Sequence, residues 1–390
     1  MNFKKNVLTL TELGFKFVLV TTLLSLLFAC SNDRANVPTE LEEMRDTVKI
    51  KRIWKVSVGN GDNDLMLELS PVIKDNFIYT LDTEGVLTVL NRLNGKVEWE
   101  RELEDNVSGG LEVDSERLYY ATFQGELVCL DRYTGNQIWR RELTSEAISP
   151  PTSNGRMVAV QTIDGKLFAF EVTEGIQRWR YDSVGPILSL RGTPSPLVSK
   201  SFTITSFANG EMLAFDNSNG STFWKVAIGL PQGRTELERL VDVDGKAIID
   251  AERVYAASYQ GRVVSLNATS GDEIWSKPIS TYNGVAVGST HVYVANDEGV
   301  VVAFDKLKSN EVWRNEKLKY RRLSAPTNVQ NMVVVSDFEG YLHFISQETG
   351  EIVARKYPDS DGIMGAVLAQ EDMVYVYARS GEIVAYRIYK

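Results

Sequence analysis

The sequence contains few of the residues that build covalent or metal-based sites. Its 390 residues include only two cysteines, Cys30 and Cys129, and two histidines, His291 and His343. A zinc site needs three or four ligands at characteristic spacings, and neither histidine has such a partner nearby in the sequence. We therefore expect no metal, interpret both histidines as ordinary strand residues, and interpret Cys129 as a small, unreactive hydrophobic side chain.

The chain also lacks an excess of positive charge. Its formal net charge is −10, and its hydrophobic content is 43%. Nucleic-acid binding needs a concentrated basic surface, so nucleic acid is not an expected partner. No glycine-rich phosphate loop precedes a helical segment, and no nucleophile motif is present. The hydrophobic content is enough for a large buried core. The missing motifs predict a protein that is not an enzyme and that holds no cofactor.

Long apolar runs are missing as well. The run from Phe17 to Ala29 is too short for a membrane span, which takes about 20 residues. Its basic flank and terminal small residue predict a secretory signal peptide over residues 1–29. The segment LFAC, which ends at Cys30, resembles the bacterial lipobox and implies that Cys30 becomes a lipid anchor. The alternative is an ordinary signal peptide followed by an incidental cysteine.

A polar segment follows the proposed anchor. Residues 30–48 have no sustained apolar period, and we interpret them as a lipidated N-terminus with a flexible tether. If Cys30 carries lipid, Cys129 is the only remaining thiol, so no intrachain disulfide is expected. Lipobox proteins of this kind usually lie at the outer membrane and face the periplasm.

An internal repeat dominates residues 49–390. Hairpin glycines recur in eight units, and a second series of glycines precedes the tryptophans, with Asn310 expected to substitute for glycine once. The tryptophans are Trp54, Trp99, Trp139, Trp179, Trp224, Trp275 and Trp313, and Ala354 stands where an eighth would fall. A period of about 40 residues with four short alternating strands per unit is typical of a β-propeller. We predict an all-β fold of eight four-stranded antiparallel blades, in which the N-terminal strand completes the last blade.

The tryptophan repeat has a chemical and a structural interpretation. It resembles the tryptophan-docking motif of quinoprotein dehydrogenases, which use pyrroloquinoline quinone and calcium. This chain cannot form their adjacent cysteine pair, and no loop of spaced carboxylates predicts a calcium site. A tryptophan buries on the order of 200 Å², so one per unit is expected to act as a structural wedge between neighbouring blades. A periplasmic quinoprotein oxidoreductase is therefore the weaker alternative.

Two consecutive units are longer than most of the others, in the connections that follow Trp179 and Trp224. We expect both connections on the same rim of the ring, because each joins the outer strand of one blade to the inner strand of the next. Their candidate partner-binding residues combine apolar, basic and acidic side chains, a composition typical of protein interfaces. These residues are Leu188, Leu190, Arg191, Asp242 and Asp244. The alternative is structural, with the leucines in the core and Arg191 paired with an aspartate.

The lipobox, the eight units, the LSLRG stretch that ends at Gly192 and the DVDG stretch that ends at Gly245 together resemble the BamB family. Its members are the propeller lipoproteins of the outer-membrane β-barrel assembly machinery, the BAM complex. The resemblance implies that the five candidate residues contact the POTRA domains of the barrel subunit, BamA. It also makes other BAM subunits and unfolded outer-membrane proteins candidate partners. A generic propeller that binds glycan or peptidoglycan is the remaining alternative.

Overall fold

The computed structural model describes residues 36–59, 61, 69–183, 193–229 and 245–389. Within these ranges the regular secondary structure is entirely β, and no helix is present that could cross a membrane. Residues 39–390 form one compact unit. The 32 strands of its described residues form eight antiparallel four-stranded sheets, which are the eight blades of a β-propeller, as the sequence predicts.

Within each blade the strands follow the chain from the innermost to the outermost, except that β1 (Lys49–Ser57) is the outermost strand of blade 8. Blade 1 contains β2 (Val72–Lys74), β3 (Phe77–Leu81), β4 (Val86–Asn91) and β5 (Val97–Glu102), and blade 2 contains β6 (Val107–Val113), β7 (Arg117–Thr122), β8 (Glu126–Asp131) and β9 (Gln137–Glu142). Blade 3 contains β10 (Thr152–Ser153), β11 (Met157–Gln161), β12 (Lys166–Glu171) and β13 (Gln177–Asp182), and blade 4 contains β14 (Leu197–Val198), β15 (Phe202–Ser206), β16 (Glu211–Asp216) and β17 (Thr222–Ala227). Blade 5 contains β18 (Ile248–Asp250), β19 (Arg253–Ala257), β20 (Arg262–Asn267) and β21 (Glu273–Pro278), and blade 6 contains β22 (Ala286–Val287), β23 (His291–Ala295), β24 (Val301–Asp305) and β25 (Glu311–Asn315). Blade 7 contains β26 (Thr327–Val329), β27 (Met332–Ser336), β28 (Leu342–Ser346) and β29 (Ile352–Lys356), and blade 8 contains β30 (Ile363–Gln370), β31 (Met373–Ala378) and β32 (Glu382–Tyr389).

The two middle strands of each blade carry the core. In β7 and β8 nearly every residue is buried, because both faces of these strands pack against neighbouring blades. The outermost strand behaves differently, and in β9 only Trp139 is buried. The consecutive apolar residues of the middle strands and the single tryptophan of the outer strand therefore follow from where each strand lies in the ring.

Each tryptophan docks onto the turn before the outermost strand of the following blade. The indole Nε1 of Trp139 donates a hydrogen bond to the carbonyl of Val172 at 2.9 Å, and the ring lies against Gly175. A Cβ atom on Gly175 would lie 2.6 Å from the indole, and its φ is +67°, so only glycine fits this turn. The same indole-to-carbonyl bond occurs from Trp54, Trp179, Trp224, Trp275 and Trp313 to Arg92, Asn217, Ala268, Lys306 and Gln347. The tryptophans are wedges between blades, as the structural interpretation predicts.

One position in the turn series needs correction. The residue that replaces glycine in blade 6 is Ser309, not Asn310, because Ser309 has the positive φ, 62°. The amide of Ser309 donates to the carbonyl of Asp305, as the amide of Gly95 does to that of Asn91. The left-handed residue lies four positions before the tryptophan, as Gly95 does before Trp99, and Ser309 holds this place before Trp313. The sequence prediction therefore placed the substitution one residue too late.

Ring closure explains why Ala354 replaces an eighth tryptophan. β1 pairs with β32 from Lys49–Tyr389 to Ser57–Glu382, so the N-terminal strand completes blade 8 as predicted. The third and fourth strands of blade 8 therefore come from opposite ends of the chain, and no turn joins them. A tryptophan at position 354 would have no such turn to dock on.

Candidate functional site

The two rims of the ring carry different chain segments. The hairpin rim, as we call it, contains the hairpins between the second and third strand of each blade. These hairpins contain Gly85, Gly125, Gly165, Gly210, Gly261, Gly299, Gly340 and Gly381. The connections between blades begin on this rim, because the residue that follows an outermost strand forms a hydrogen bond with the hairpin glycine of the same blade. The amide of Leu103 donates to the carbonyl of Gly85 at 2.8 Å, and the amide of Leu143 donates to that of Gly125 at 2.7 Å. The opposite rim carries the turns on which the tryptophans dock.

Both enlarged connections begin on the hairpin rim. The amide of Ser183 donates to the carbonyl of Gly165 at 3.0 Å, and that of Ile228 to Gly210 at 2.9 Å. These contacts place the starts of the two connections beside the hairpins of blades 3 and 4, which are neighbours in the ring. The described starting points therefore agree with the expectation that both connections share one rim.

The five candidate partner-binding residues themselves lie outside the described residues. Leu188, Leu190 and Arg191 belong to the first enlarged connection, and Asp242 and Asp244 belong to the second. Cys30, the predicted lipid anchor, also lies outside the described residues. Their assignment therefore remains a prediction.

A stacked aromatic pair with one exposed ring lies next to the end of the second enlarged connection. The rings of Tyr259 and Tyr282 stack at a centroid distance of 4.2 Å, and 52% of Tyr282 is exposed. Tyr282 precedes Asn283, whose carbonyl oxygen would lie 2.8 Å from a Cβ atom on Gly245, at the end of the second enlarged connection. Exposed tyrosines of this kind are frequent binding anchors. The sequence analysis missed the pair because Tyr259 comes from a hairpin of blade 5 and Tyr282 from the following connection.

A second feature that the sequence analysis missed is a buried charged cluster in blade 7. Asp337, in its hairpin, accepts hydrogen bonds from Arg321 Nε at 2.7 Å and His343 Nε2 at 2.9 Å. Arg355 Nε donates to His343 Nδ1 at 3.3 Å, so the neutral imidazole carries its proton on Nε2. The side chains of Asp337 and His343 are fully buried. No spacing in the sequence indicates this cluster, because its members come from a connection, a hairpin and two different strands.

The cluster shifts the pKa values of two of its members, His343 and Asp337. Burial lowers the pKa of His343 below its usual 6.5, and the positive charges of Arg355 and Arg321 lower it further, against the opposing hydrogen bond to Asp337. Burial alone would raise the pKa of Asp337, but the hydrogen bonds from His343 and Arg321 outweigh it and hold this pKa below its usual value. The network therefore favours a neutral His343 and an ionised Asp337.

We expect His343 to make the protein less stable in mild acid. Below about pH 6.5 the unfolded chain binds a proton at this histidine that the folded chain does not, so the free energy of unfolding falls as the pH is lowered. The slope reaches at most about 1.4 kcal/mol per pH unit. Denaturant titrations between pH 7.5 and 5 measure it, and His343→Gln should flatten the profile. His291→Gln, which changes the chain's other histidine, is the matched control, and an equal slope in both variants would contradict the assignment.

The remaining titratable candidates show no reactive geometry. Cys129 is fully buried in β8, and burial raises the pKa of its thiol to about 12, so it stays protonated. The imidazole of His291 is within hydrogen-bond distance of the hydroxyl groups of Thr290 and Tyr293. Among the described residues no group of three or more metal-ligating side chains is arranged to hold an ion.

Comparison with known proteins gives consistent matches. A family model described as "Outer membrane protein assembly factor BamB" matches residues 83–315 and 297–389. A relative of that name from Pseudomonas aeruginosa is 44% identical over 371 residues, which cover 95% of this chain and 98% of the relative. Another from Kangiella koreensis is 39% identical, with 96% and 95% covered. The crystal structure of BamB from Moraxella catarrhalis superposes with a TM-score of 0.79 at 24% identity, covering 87% of this chain and 100% of that one, and supports the fold.

Proposed function

Because the chain belongs to the BamB family of outer membrane protein assembly factors, we propose that it binds the POTRA domains of a BamA-like barrel subunit as a non-catalytic scaffold. In this role it assists the folding and insertion of β-barrel proteins at the outer membrane. The names of the relatives are those of assembly factors and not of enzymes, which supports a scaffold. The family membership is the observation that carries the proposal.

The geometry of the hairpin rim supports this function. Two neighbouring enlarged connections begin there at Ser183 and Gly229, and the stacked Tyr259–Tyr282 pair, of which Tyr282 is exposed, lies next to the end of the second one. Tyrosine and arginine are enriched among the residues that contribute most to binding at protein interfaces. We therefore propose that Leu188, Leu190, Arg191, Asp242 and Asp244 form the contact with the POTRA region, together with this sector of the rim.

The rest of the molecule would contribute rigidity and location. Eight blades joined by interlocking tryptophans form a stiff platform, so a bound flexible domain is held in one orientation. A lipid on Cys30 would confine the ring to the periplasmic face of the outer membrane and raise its effective concentration near the barrel subunit. Acyl chains contribute about 0.8 kcal/mol per buried methylene, so a multiply acylated cysteine holds firmly.

The test is binding of purified POTRA domains to variants of the enlarged connections. Arg191→Ala, or the charge reversal Asp244→Lys, should weaken binding by about 30-fold or more, as expected for loss of a contact worth about 2 kcal/mol. The thermal unfolding midpoint should move by less than about 2 °C. Arg156→Ala is the matched control, because Arg156 is exposed in blade 3 on the opposite rim.

Three other results would contradict the proposed contact with the POTRA domains. A variant that loses its thermal transition would indicate that Arg191 and Asp244 stabilise the enlarged connections and do not bind a partner. Unchanged binding by a folded variant would show that the contact lies elsewhere. Recovery of cell-wall material instead of a barrel subunit, in a pull-down from solubilised envelopes, would favour the glycan-binding alternative.

A further inference from the structure

Residues 39–48, which we call the strap, lie along the outer edge of blade 7. The amide of Thr47 donates to the carbonyl of Val353 in β29 at 2.8 Å, and Asp46 accepts a hydrogen bond from the amide of Arg355 at 3.1 Å. Asp46 also forms an ion pair with Lys356. Leu41 packs against the core cluster that contains Trp313. The sequence assigns this segment to the tether, because it has no apolar period, but these contacts depend on hydrogen bonds and charges.

Two arginines of the buried cluster fasten the beginning of the strap. Arg321 Nη1 donates to the carbonyl of Thr39 at 3.0 Å, and Arg355 Nη1 donates to the carbonyl of Glu42 at 2.9 Å. Arg321 is itself fixed by Asp337, and Arg355 is fixed by His343. The strap therefore contacts groups whose positions are already set by a buried network, which makes its attachment specific.

The strap begins on the hairpin rim. The amide of Thr39 donates to the carbonyl of Lys319, in the connection between blades 6 and 7, at 3.0 Å. That connection is bonded to the hairpins of both blades: Tyr320 donates to Glu298 at 2.6 Å, and Phe338 donates to Arg321 at 3.1 Å. The chain thus reaches the ring between blades 6 and 7, on the rim that also carries the starts of the two enlarged connections.

We propose that the strap fixes where the lipid tether joins the ring and so holds the blade 6–7 sector of the hairpin rim close to the bilayer. This proposal rests on the proposed lipid anchor at Cys30. Nine residue steps separate Cys30 from Thr39, and a fully extended chain of that length spans about 30 Å. A tether that stayed free as far as Val48 would span about 60 Å. The strap therefore halves the reach.

The position of the strap also relates the anchor to the proposed partner site. The blade 6–7 junction is two and three blades away from the junctions where the enlarged connections lie, or about 90° and 135° around an eight-bladed ring. The start of the strap and the described starts of both enlarged connections lie on one rim, so the anchor would limit the distance between this rim and the membrane without covering the starts of the connections. A shorter tether also raises the effective concentration of the ring at a membrane-embedded partner.

Strap release is tested with the acylated protein purified from membranes. Asp46→Lys removes the acceptor for Arg355 and places a cation beside Lys356. Hydrogen exchange at the amides of Thr39 and Thr47 should then accelerate at least tenfold. Glu43→Lys makes the same charge change at an exposed neighbouring strap residue and should leave exchange unchanged. The charge swap Asp46→Lys with Lys356→Asp should restore much of the protection.

Neutron reflectometry on a supported bilayer measures the consequence. The wild-type layer should begin within about 30 Å of the bilayer, and the Asp46→Lys layer should extend farther, up to about 60 Å. Unprotected Thr39 and Thr47 amides in the wild type, or an unmoved layer in a variant with a released strap, would overturn the proposal. Mass spectrometry separates the two levels: an unmodified Cys30 would refute the lipid anchor and with it this position, whereas an acylated Cys30 with an unmoved layer refutes the strap's role alone.

Discussion

Replacing Trp139 with alanine is expected to lower the free energy of unfolding by about 3–5 kcal/mol. The indole is 5% exposed and lies between blades 2 and 3, with ring centroids 6.0 Å from Tyr119 and 6.4 Å from Phe170. Alanine would leave a cavity between the blades and would remove the donor to the Val172 carbonyl. Both changes act on the same interface, so the loss should be among the largest that a single substitution causes in this chain.

Phe223→Ala is the control for the tryptophan variant. Phe223 is a large aromatic residue on the same kind of outermost strand, directly before Trp224, but 54% of it is exposed. Its truncation should change the free energy of unfolding by less than about 0.5 kcal/mol. Denaturant unfolding followed by far-ultraviolet circular dichroism measures both variants. A loss below about 1 kcal/mol for Trp139→Ala would show that the tryptophans do not hold the blades together.

The second large effect is expected for Asp337→Asn, which should cost about 3 kcal/mol. Asparagine can keep the hairpin, because Asn296 at the equivalent position of blade 6 accepts a hydrogen bond from the amide of Val300 at 2.7 Å. The substitution instead removes the negative charge that pairs with the buried Arg321 guanidinium and accepts a hydrogen bond from His343 Nε2. The value is at the low end for a broken buried pair, because Glu339 still contacts Arg321.

A double variant separates the charge effect from a packing effect. If the cost of Asp337→Asn comes from an unpaired buried cation, adding Arg321→Gln should recover part of the lost stability, although Arg321→Gln alone is destabilising. Chemical denaturation of the two single variants and the double variant gives the coupling energy. Strictly additive losses would contradict this explanation. Hydrogen exchange at the amide of Thr39 should rise in the same variants, because Arg321 holds the strap.

The repeat made the architecture readable from the sequence alone. Tryptophans and glycines at fixed offsets predict four-stranded units, and the final strand pattern up to Tyr389 predicts that the segment around Trp54 must complete the last blade. These features are local: each turn needs a residue that adopts the left-handed conformation, which is usually glycine, and each wedge needs its tryptophan, so the pattern recurs wherever the unit recurs. The assignment failed only at Ser309, where a non-glycine residue adopts the left-handed conformation.

Other features depend on residues that the sequence separates widely. His343 and Arg355 belong to blade 7, yet Arg355 donates to a carbonyl of residue 42, so no local pattern indicates the contact. The strap is polar along its length, and polarity is equally typical of a free tether, so only the folded ring shows that residues 39–48 have partners. The Tyr259–Tyr282 pair was missed for the same reason, because its residues lie on two separate segments.

The sequence by itself determined the eight-bladed ring, its closure by the N-terminal strand and the structural role of the tryptophans, because these depend on short-range periodicity and on the burial of apolar side chains. Only the tertiary structure decided which polar residues meet. It placed Arg321, Asp337, His343 and Arg355 in one buried network and placed the strap against blade 7. Hydrogen bonds and ion pairs need particular atoms within about 3 Å of one another, and that proximity exists only after the ring has closed.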